Sequence, residues 1–326
     1  MPAQFSAPNW RQKFASKKRL ITVIAGAVIV AAIPIVYFLY PGSRPARFLH
    51  LARSRYPDCP LACVWGAIDD FDDRFDRIYA LYDKITVLKS EGAFDLVEAP
   101  QGRFWIPTRN REILAGMLID QDDDVYGKGE HGVRAGDTVL DCGANVGVFI
   151  RKALSHGAGL VVAIEPAPEN LICLRKTFEE EIRAGLVIVY PKGVWDHDCQ
   201  FVLRTYDYQS GGDSVALKFP HSQAGPTVQL TTIDELTSEL KLQSVDFIKM
   251  DIEGAERQAL RGAKETVARF RPRLAISLEH TPTDAEEIPA LIWSMWPFLK
   301  TERGPCIWVS TEFVSRLQPE VVFAGP

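Results

Sequence analysis

Hydrophobic and polar positions fall into three regimes along the chain. Residues 20–40 read LITVIAGAVIVAAIPIVYFLY, 21 residues without a charge. A helix of that length, rising about 1.5 Å per residue, spans a hydrocarbon core of about 30 Å. The run predicts a single transmembrane helix over 20–40, kinked at Pro34, with Tyr37 and Tyr40 at interfacial positions and a basic tail over 1–19. A cleaved signal peptide fits less well, since its apolar core runs only about 7–15 residues. Residues 41–135 form a connector of mixed pattern. There Phe71, Phe75, Ile78, Tyr82 and Ile85 recur at helical spacing, which puts Asp69, Asp70, Asp72, Asp73 and Asp76 on a solvated face. From residue 136 the pattern becomes regular. Apolar runs at 138–141, 160–165, 186–190, 245–251 and 273–279 alternate with helical stretches at 146–155, 169–183, 255–269 and 284–296. The alternation predicts an α/β domain over 136–326, a parallel sheet with helices on both faces.

Charge divides the chain in the same place. The net value is −5, but residues 1–58 carry nine Lys and Arg against Asp58 alone. The other 268 residues hold 28 basic against 41 acidic side chains, a net −13. An acidic body makes nucleic acid a poor partner, because phosphate binding needs a basic face. The six cysteines show no zinc spacing with histidine, and no metal is expected. Cys59 and Cys63, flanked by prolines, would pair in an oxidising compartment. Cys142, Cys173 and Cys306 lie in apolar runs and read as small buried hydrophobes.

In a parallel sheet, ligands gather at the carboxyl ends of the strands, and the candidate chemistry falls there. The first run ends in Asp141-Cys-Gly-Ala-Asn-Val-Gly147. Gly143 and Gly147 permit a tight turn, and the next helix offers free backbone amides. The second run ends in Glu165, where a carboxylate can accept hydrogen bonds from both hydroxyls of a ribose. Gly143 and Gly147 do not complete the dinucleotide fingerprint. A nucleoside ligand with an amino-acid end and a positive centre suits this acidic mouth, and S-adenosyl-L-methionine has both. Asp141, Gly143, Asn145 and Gly147 would hold its methionine end. The segment Gly193-Val194-Trp195-Asp196 follows the third run, where Val194 would meet the adenine; Trp195 reads equally well as a core aromatic. The fourth run carries Lys249, Asp251 and Glu253 at period two, one face of a strand if the pleat persists. Buried charges need partners or a task. Either Lys249 pairs with Glu253 or Glu256, or Asp251 faces the reacting centre with Glu253 beside it or acting as base. His280, after Glu279 at the end of the fifth run, is the other candidate base, since its unperturbed pKa near 6.5 suits neutral pH.

Together DTVLDCGANVGVF, AIEPAPENL, VDFIKMDIEGAE and LAISLEH resemble the FkbM family of S-adenosylmethionine-dependent methyltransferases, over about residues 137–280. Lys249-x-Asp251-x-Glu253-Gly254-x-Glu256 is the most specific part. The resemblance implies a Rossmann-like class I methyltransferase fold, a seven-stranded, mostly parallel sheet whose last strands form a hairpin with one antiparallel member. Residues 306–310 and 320–323 are the candidates for that hairpin. It also implies O-methylation of a hydroxyl on a sugar, glycolipid or small metabolite without an obligatory metal, and a small-molecule or glycan acceptor. Residues 210–214 resemble the family's serine- and glycine-rich segment near the site, and read equally as a plain turn. The anchor and connector lie outside the resemblance.

Five positive residues before the span against four after it lean towards a cytoplasmic N-terminus. The cytosolic origin of the cofactor favours a cytoplasmic-facing domain instead, and that is the expectation adopted. Two rival functions remain. A membrane-tethered glycosyltransferase would use Asp122, Asp123 and Asp124, or Asp196 and Asp198, to bind a metal–nucleotide sugar. A catalytically inactive module would keep the fold for binding alone.

Overall fold

The computed structural model describes residues 40, 42–205, 213–217, 222–310 and 314–326. The expected membrane span and basic tail, Tyr40 apart, lie outside the described residues. No helix among the described residues is long and apolar enough to cross a membrane. The chain divides into two compact units, Met1–Arg53 and Ser54–Pro326. The helix Arg44–Ser54 ends at that division, and the rest of the description concerns the second unit.

Strands β1 (Thr86–Glu91), β2 (Phe94–Ala99) and β3 (Gly102–Pro107) form an antiparallel meander. Then come β4 (Thr138–Cys142), β5 (Leu160–Ile164) and β6 (Val187–Tyr190), followed by a small sheet of β7 (Gly193–Val194), β8 (Cys199–Thr205) and β9 (Gln223–Thr231). The chain continues through β10 (Phe247–Met250), β11 (Arg273–Ser277), β12 (Lys300–Arg303), β13 (Cys306–Ser310), β14 (Ser315–Pro319) and β15 (Val321–Gly325). The main sheet has the order β12-β15-β11-β10-β4-β5-β6. All its members run parallel except β15, which is antiparallel to both β11 and β12. A seven-stranded, mostly parallel sheet is thus present as expected.

The hairpin is a partial correction. Residues 321–325 supply the antiparallel strand, but Cys306–Ser310 pairs with β14 in a separate ribbon, and Lys300–Arg303 takes the sheet edge. All four of those edge residues, Lys-Thr-Glu-Arg, are exposed. A charged edge strand resists pairing with other chains and carries no apolar pattern to read.

The chain steps outward from β4 to β5 and β6, then returns to place β10 on the other side of β4. The resulting switch point lies between β4 and β10, where an open α/β sheet forms its crevice. Residues Val139, Val161, Ala163, Phe247 and Ala275 turn one face of the sheet onto Phe149, Ile150 and Phe178. Each buried Val, Ile or Phe among them contributes about 1.5–3 kcal/mol.

The expected connector is not a separate segment after Ser54. Ile85, Phe104, Leu114 and Leu118 share a core with Val146, Val148 and Cys173. The helix Cys63–Tyr82 keeps its acids Asp69, Asp70, Asp72, Asp73 and Asp76 exposed, as the periodicity predicts. Its Phe71 stacks on Trp308 of β13 with ring centroids 4.3 Å apart. The cysteine pairing also differs from expectation: Cys59 bonds Cys306 across 247 residues, and Cys63 is free and exposed. Cys63 begins the helix, while Cys59 lies before it and reaches the ribbon. Cys142 and Cys173 are buried thiols as expected.

Candidate functional site

The turn from β4 into the helix Val148–Ser155 is built on backbone conformations that side chains resist. Gly143 has φ +82°, and a Cβ there would lie 1.9 Å from the Asp251 carbonyl oxygen. Only glycine lets the β4 loop approach the β10 loop so closely. Gly147, at φ +92°, leaves room for the Phe178 ring, which a Cβ would meet at 2.2 Å. Asn145 lies between them at φ +48°, a conformation that costs a non-glycine residue about 1–2 kcal/mol. There the Asn145 amide donates to Glu165 Oε2 at 2.8 Å, while the Ala167 amide donates to Oε1 at 2.8 Å. With the Asn170 side chain also bonded to it, the carboxylate keeps about one of its roughly four acceptor positions. Burial pushes the Glu165 carboxyl up to about 7, against these amides, Asn170 and Lys249, which favour the anion.

Across the switch point, parallel register sets Lys249 of β10 beside Asp141 of β4. The Lys249 ammonium lies 3.2 Å from Asp141 Oδ1 and 3.9 Å from Asp251, and donates to the Gly143 carbonyl at 2.9 Å. Burial opposes its charge, but Asp141 and Asp251 outweigh burial and raise its pKa. The alternative partners Glu253 and Glu256 are engaged elsewhere. Strand β10 ends at Met250, so the pleat does not persist to Glu253. That residue turns at φ +52° and Gly254 follows at +91°. Ser214 fixes the turn, donating its hydroxyl to the Glu253 carbonyl at 2.7 Å and accepting from the amides of Ala216 and Leu217.

His280 follows β11 and gathers three carboxylates. Its Nδ1 lies 3.0 Å from Glu256, and its Nε2 lies 3.3 Å from Asp251 and 3.6 Å from Glu253. Burial favours the neutral ring, but Glu256 and Glu253 outweigh it and hold the pKa well above the ordinary value. Asp251 also accepts from the Tyr126 hydroxyl at 2.7 Å. Burial opposes its ionisation, yet Lys249, His280 and Tyr126 hold its carboxyl well below the usual range. Asp251, Glu253 and His280 bring possible ligand atoms within 4.8 Å of one another. An imidazolium with both nitrogens facing carboxylates has no lone pair for a metal, however, and already supplies positive charge.

A cavity of about 440 Å³ joins these groups, within the range of small-molecule sites. Gly143, Asn145, Glu165, Val194, Lys249, Asp251 and Glu253 line it. Asp141, Gly147 and His280 are not among its lining residues. Asp141 is fully buried behind Lys249, and Gly147 makes room for Phe178 rather than for a ligand. Val194 reaches the cavity, whereas Trp195 packs on Phe201 as a core aromatic.

The sequence reading missed one wall. Ile113, Met117 and Asp120 of the helix Arg111–Asp122, together with Tyr126, close the cavity from the former connector. Glu279, read only as the end of a strand, also lines it. Burial pushes its carboxyl up to about 7; His280 pulls it down, while Asp251, Asp120 and Glu253 push it up. The acids Asp122, Asp123 and Asp124 point to different partners, Gln101, Arg77 and Lys152, rather than to one ion. Asp196 contacts His197 on the surface.

The Methyltransferase FkbM domain family matches residues 141–304. The chain belongs to the FkbM methyltransferase family. The match begins at Asp141 and contains every sequence-derived site residue. A curated relative, the 31-O-demethyl-FK506 methyltransferase FkbM of Streptomyces tacrolimicus, is 27% identical over 164 residues, covering 41% of this chain. The chain spans 63% of the length of that FkbM relative. Among solved structures, a methyltransferase FkbM from Methylobacillus flagellatus KT is 17% identical with a TM-score of 0.48, covering 88% of this chain and 72% of its own. The M. jannaschii TYW2 structure in complex with AdoMet is 11% identical with a TM-score of 0.40, covering 73% and 88%.

Proposed function

We propose that the chain is an S-adenosylmethionine-dependent O-methyltransferase, acting on a hydroxyl of a sugar, glycolipid or small metabolite. The observation that carries this is one cavity with Glu165 at one end and the Asp251 network at the other. Among the described residues, its lining acids, Asp120, Glu165, Asp213, Asp251, Glu253 and Glu279, face one cation, Lys249, a set that suits a cationic nucleoside. Behind the wall, Asp141 is fully buried and its Oδ2 has no hydrogen-bond partner among the described residues.

When bound, S-adenosylmethionine supplies an electrophilic methyl group on a positive sulfur. Glu165 would accept from the ribose on the position that its two amides and Asn170 leave open. Gly143 and Asn145 would offer backbone to the methionine end, and Val194 apolar surface to the base. Asp251, kept ionised, would favour positive charge beside it and orient the acceptor hydroxyl. Ile113 and Met117 would exclude water from the acceptor side. Ordering two reactants in this way supplies a large part of a methyltransferase's rate.

Incubating the full chain with methyl-labelled S-adenosylmethionine and a cell extract tests the proposal. A product heavier by one methyl in place of one hydrogen, with the label on oxygen, is the expected outcome. Cofactor binding without transfer would support the inactive module. Metal-dependent hydrolysis of a nucleotide sugar would support the glycosyltransferase.

Membrane attachment through residues 20–40 belongs to the same proposal. The Cys59–Cys306 disulfide is of a kind that persists in oxidising compartments, which runs against the cytoplasmic-facing expectation. A reporter fused to the C-terminus decides the orientation.

A further inference from the structure

Two bases follow from the sequence, Glu253 and His280, and the geometry disfavours both. His280 does not line the cavity, and carboxylates flank both its ring nitrogens, Glu256 near Nδ1 and Asp251 and Glu253 near Nε2. Carboxylates on both sides favour the protonated ring, which has no lone pair left to accept a proton. Glu253 lies 3.6 Å from that ring, and Asp251 is engaged by Lys249, Tyr126 and His280. Glu279 stands one residue before His280, at the carboxyl end of β11, and opens onto the cavity beside Asp251, Glu253 and Tyr126.

We propose that Glu279 takes the proton from the acceptor hydroxyl, and that His280 is a positioning residue that holds Asp251 and Glu253 in place. The inference rests on the methyltransferase function proposed above. The acceptor O–H bond breaks towards a Glu279 carboxylate oxygen as the hydroxyl oxygen forms its bond to the methyl carbon. The carbon–sulfur bond breaks with its electron pair left on sulfur, and the proton leaves from Glu279 to solvent.

The surroundings of Glu279 support this role. Asp120, on the helix Arg111–Asp122, accepts from Arg74, so its charge is countered there. Asp251 and Glu253 face Glu279 from the β10 loop and Glu320 from the turn before β15, with His280 as its chain neighbour. Tyr126 and Arg74 also lie within its electrostatic reach. Their balance with burial brings the Glu279 carboxyl to about 7, where a general base is half ionised at neutral pH and most useful.

The experiment uses the full chain, wild type, Glu279→Gln and His280→Asn, with methyl-labelled S-adenosylmethionine and the extract that accepts label. Difference infrared titration follows the protonated carboxyl stretch in parallel. Glu279→Gln should bind S-adenosylmethionine as wild type does, showing that it folds. It should transfer methyl about 10²–10⁴-fold more slowly, lose the acid limb of the pH–rate profile and remove one carboxyl band that titrates near neutrality. His280→Asn should be slower yet keep a limb. Wild-type transfer with an unchanged rate and limb in Glu279→Gln would overturn the proposal, as would a Glu279 band titrating in the ordinary carboxylate range. If wild type labels nothing in any extract, the proposed function itself fails and takes this inference with it.

Discussion

At one end of the cavity Glu165 is held by the backbone amides of Asn145 and Ala167, whereas at the other Asp251 is held by the side chains of Lys249, Tyr126 and His280. Backbone donors neutralise nothing, so burial dominates and Glu165 moves up to about 7. Charged side-chain partners overcome burial, so Asp251 stays ionised. The Glu165 end is set by the trace of one βα loop and the strand beside it. The Asp251 end is assembled from β4, β10, β11 and the region before β4. The difference teaches that the first end depends on glycines and local geometry, and the second on a network of partners distant in sequence.

The harshest way to break the comparison acts where the two ends touch. Gly143→Ala would drive a Cβ into the Asp251 carbonyl, and loss of measurable S-adenosylmethionine binding by calorimetry is expected. Glu165→Ala comes next. Hydrogen bonds to a charged group contribute about 1.5–3 kcal/mol each, so loss of the ribose contact should weaken cofactor binding about 10–150-fold. Asp251→Asn should lower turnover more than cofactor affinity, separating the ends by a kinetic measurement.

These predictions rest on residues that were legible in different degrees. Asp141, Gly143, Glu165, Lys249 and Asp251 could be read because each lies near or just past the carboxyl end of a short apolar run, where a parallel sheet opens its crevice. The wall made by Ile113, Met117, Asp120 and Tyr126 could not. Its helix carries the pattern of any packed helix, and only the folded chain brings it over the β10 loop. His280 was singled out by an unperturbed pKa, a property its three carboxylate neighbours remove. The Cys59–Cys306 bond was illegible because sequence gives the count of cysteines and not the distance between residues 247 apart. Edge strand β12 was missed because exposed strands carry no hydrophobic signal.

Smaller effects sharpen the contrast. Glu165 has its folded pKa raised from 4.5 to about 7, so it favours folding fully only below its unfolded value. That contribution fades as pH rises through about 7. A shift of this size corresponds to roughly 3 kcal/mol. Thermal melts of Glu165→Gln should therefore gain on wild type between pH 5 and pH 8, roughly the range over which the two carboxyl states differ. Ribose hydroxyls favour the anion, so cofactor affinity should rise with pH up to about 7 in wild type and stay flat in Glu165→Gln. Cys59→Ser should lower stability by about 2–5 kcal/mol and leave cofactor affinity nearly unchanged. The disulfide braces the ribbon whose Trp308 stacks on Phe71, in the helix whose Arg74 holds Asp120. A fall in cofactor affinity matching the fall in stability would show that the two ends are not separable.

On the function proposed above, this cavity is an S-adenosylmethionine site organised on Glu165. Isothermal titration of the full chain with S-adenosylmethionine, in buffers of different ionisation enthalpy at neutral pH, tests it most directly. One-to-one binding with release of up to about half a proton, both binding and release being weakened in Glu165→Ala, is the expected result. No binding, or binding that Glu165→Ala leaves unchanged, would contradict it.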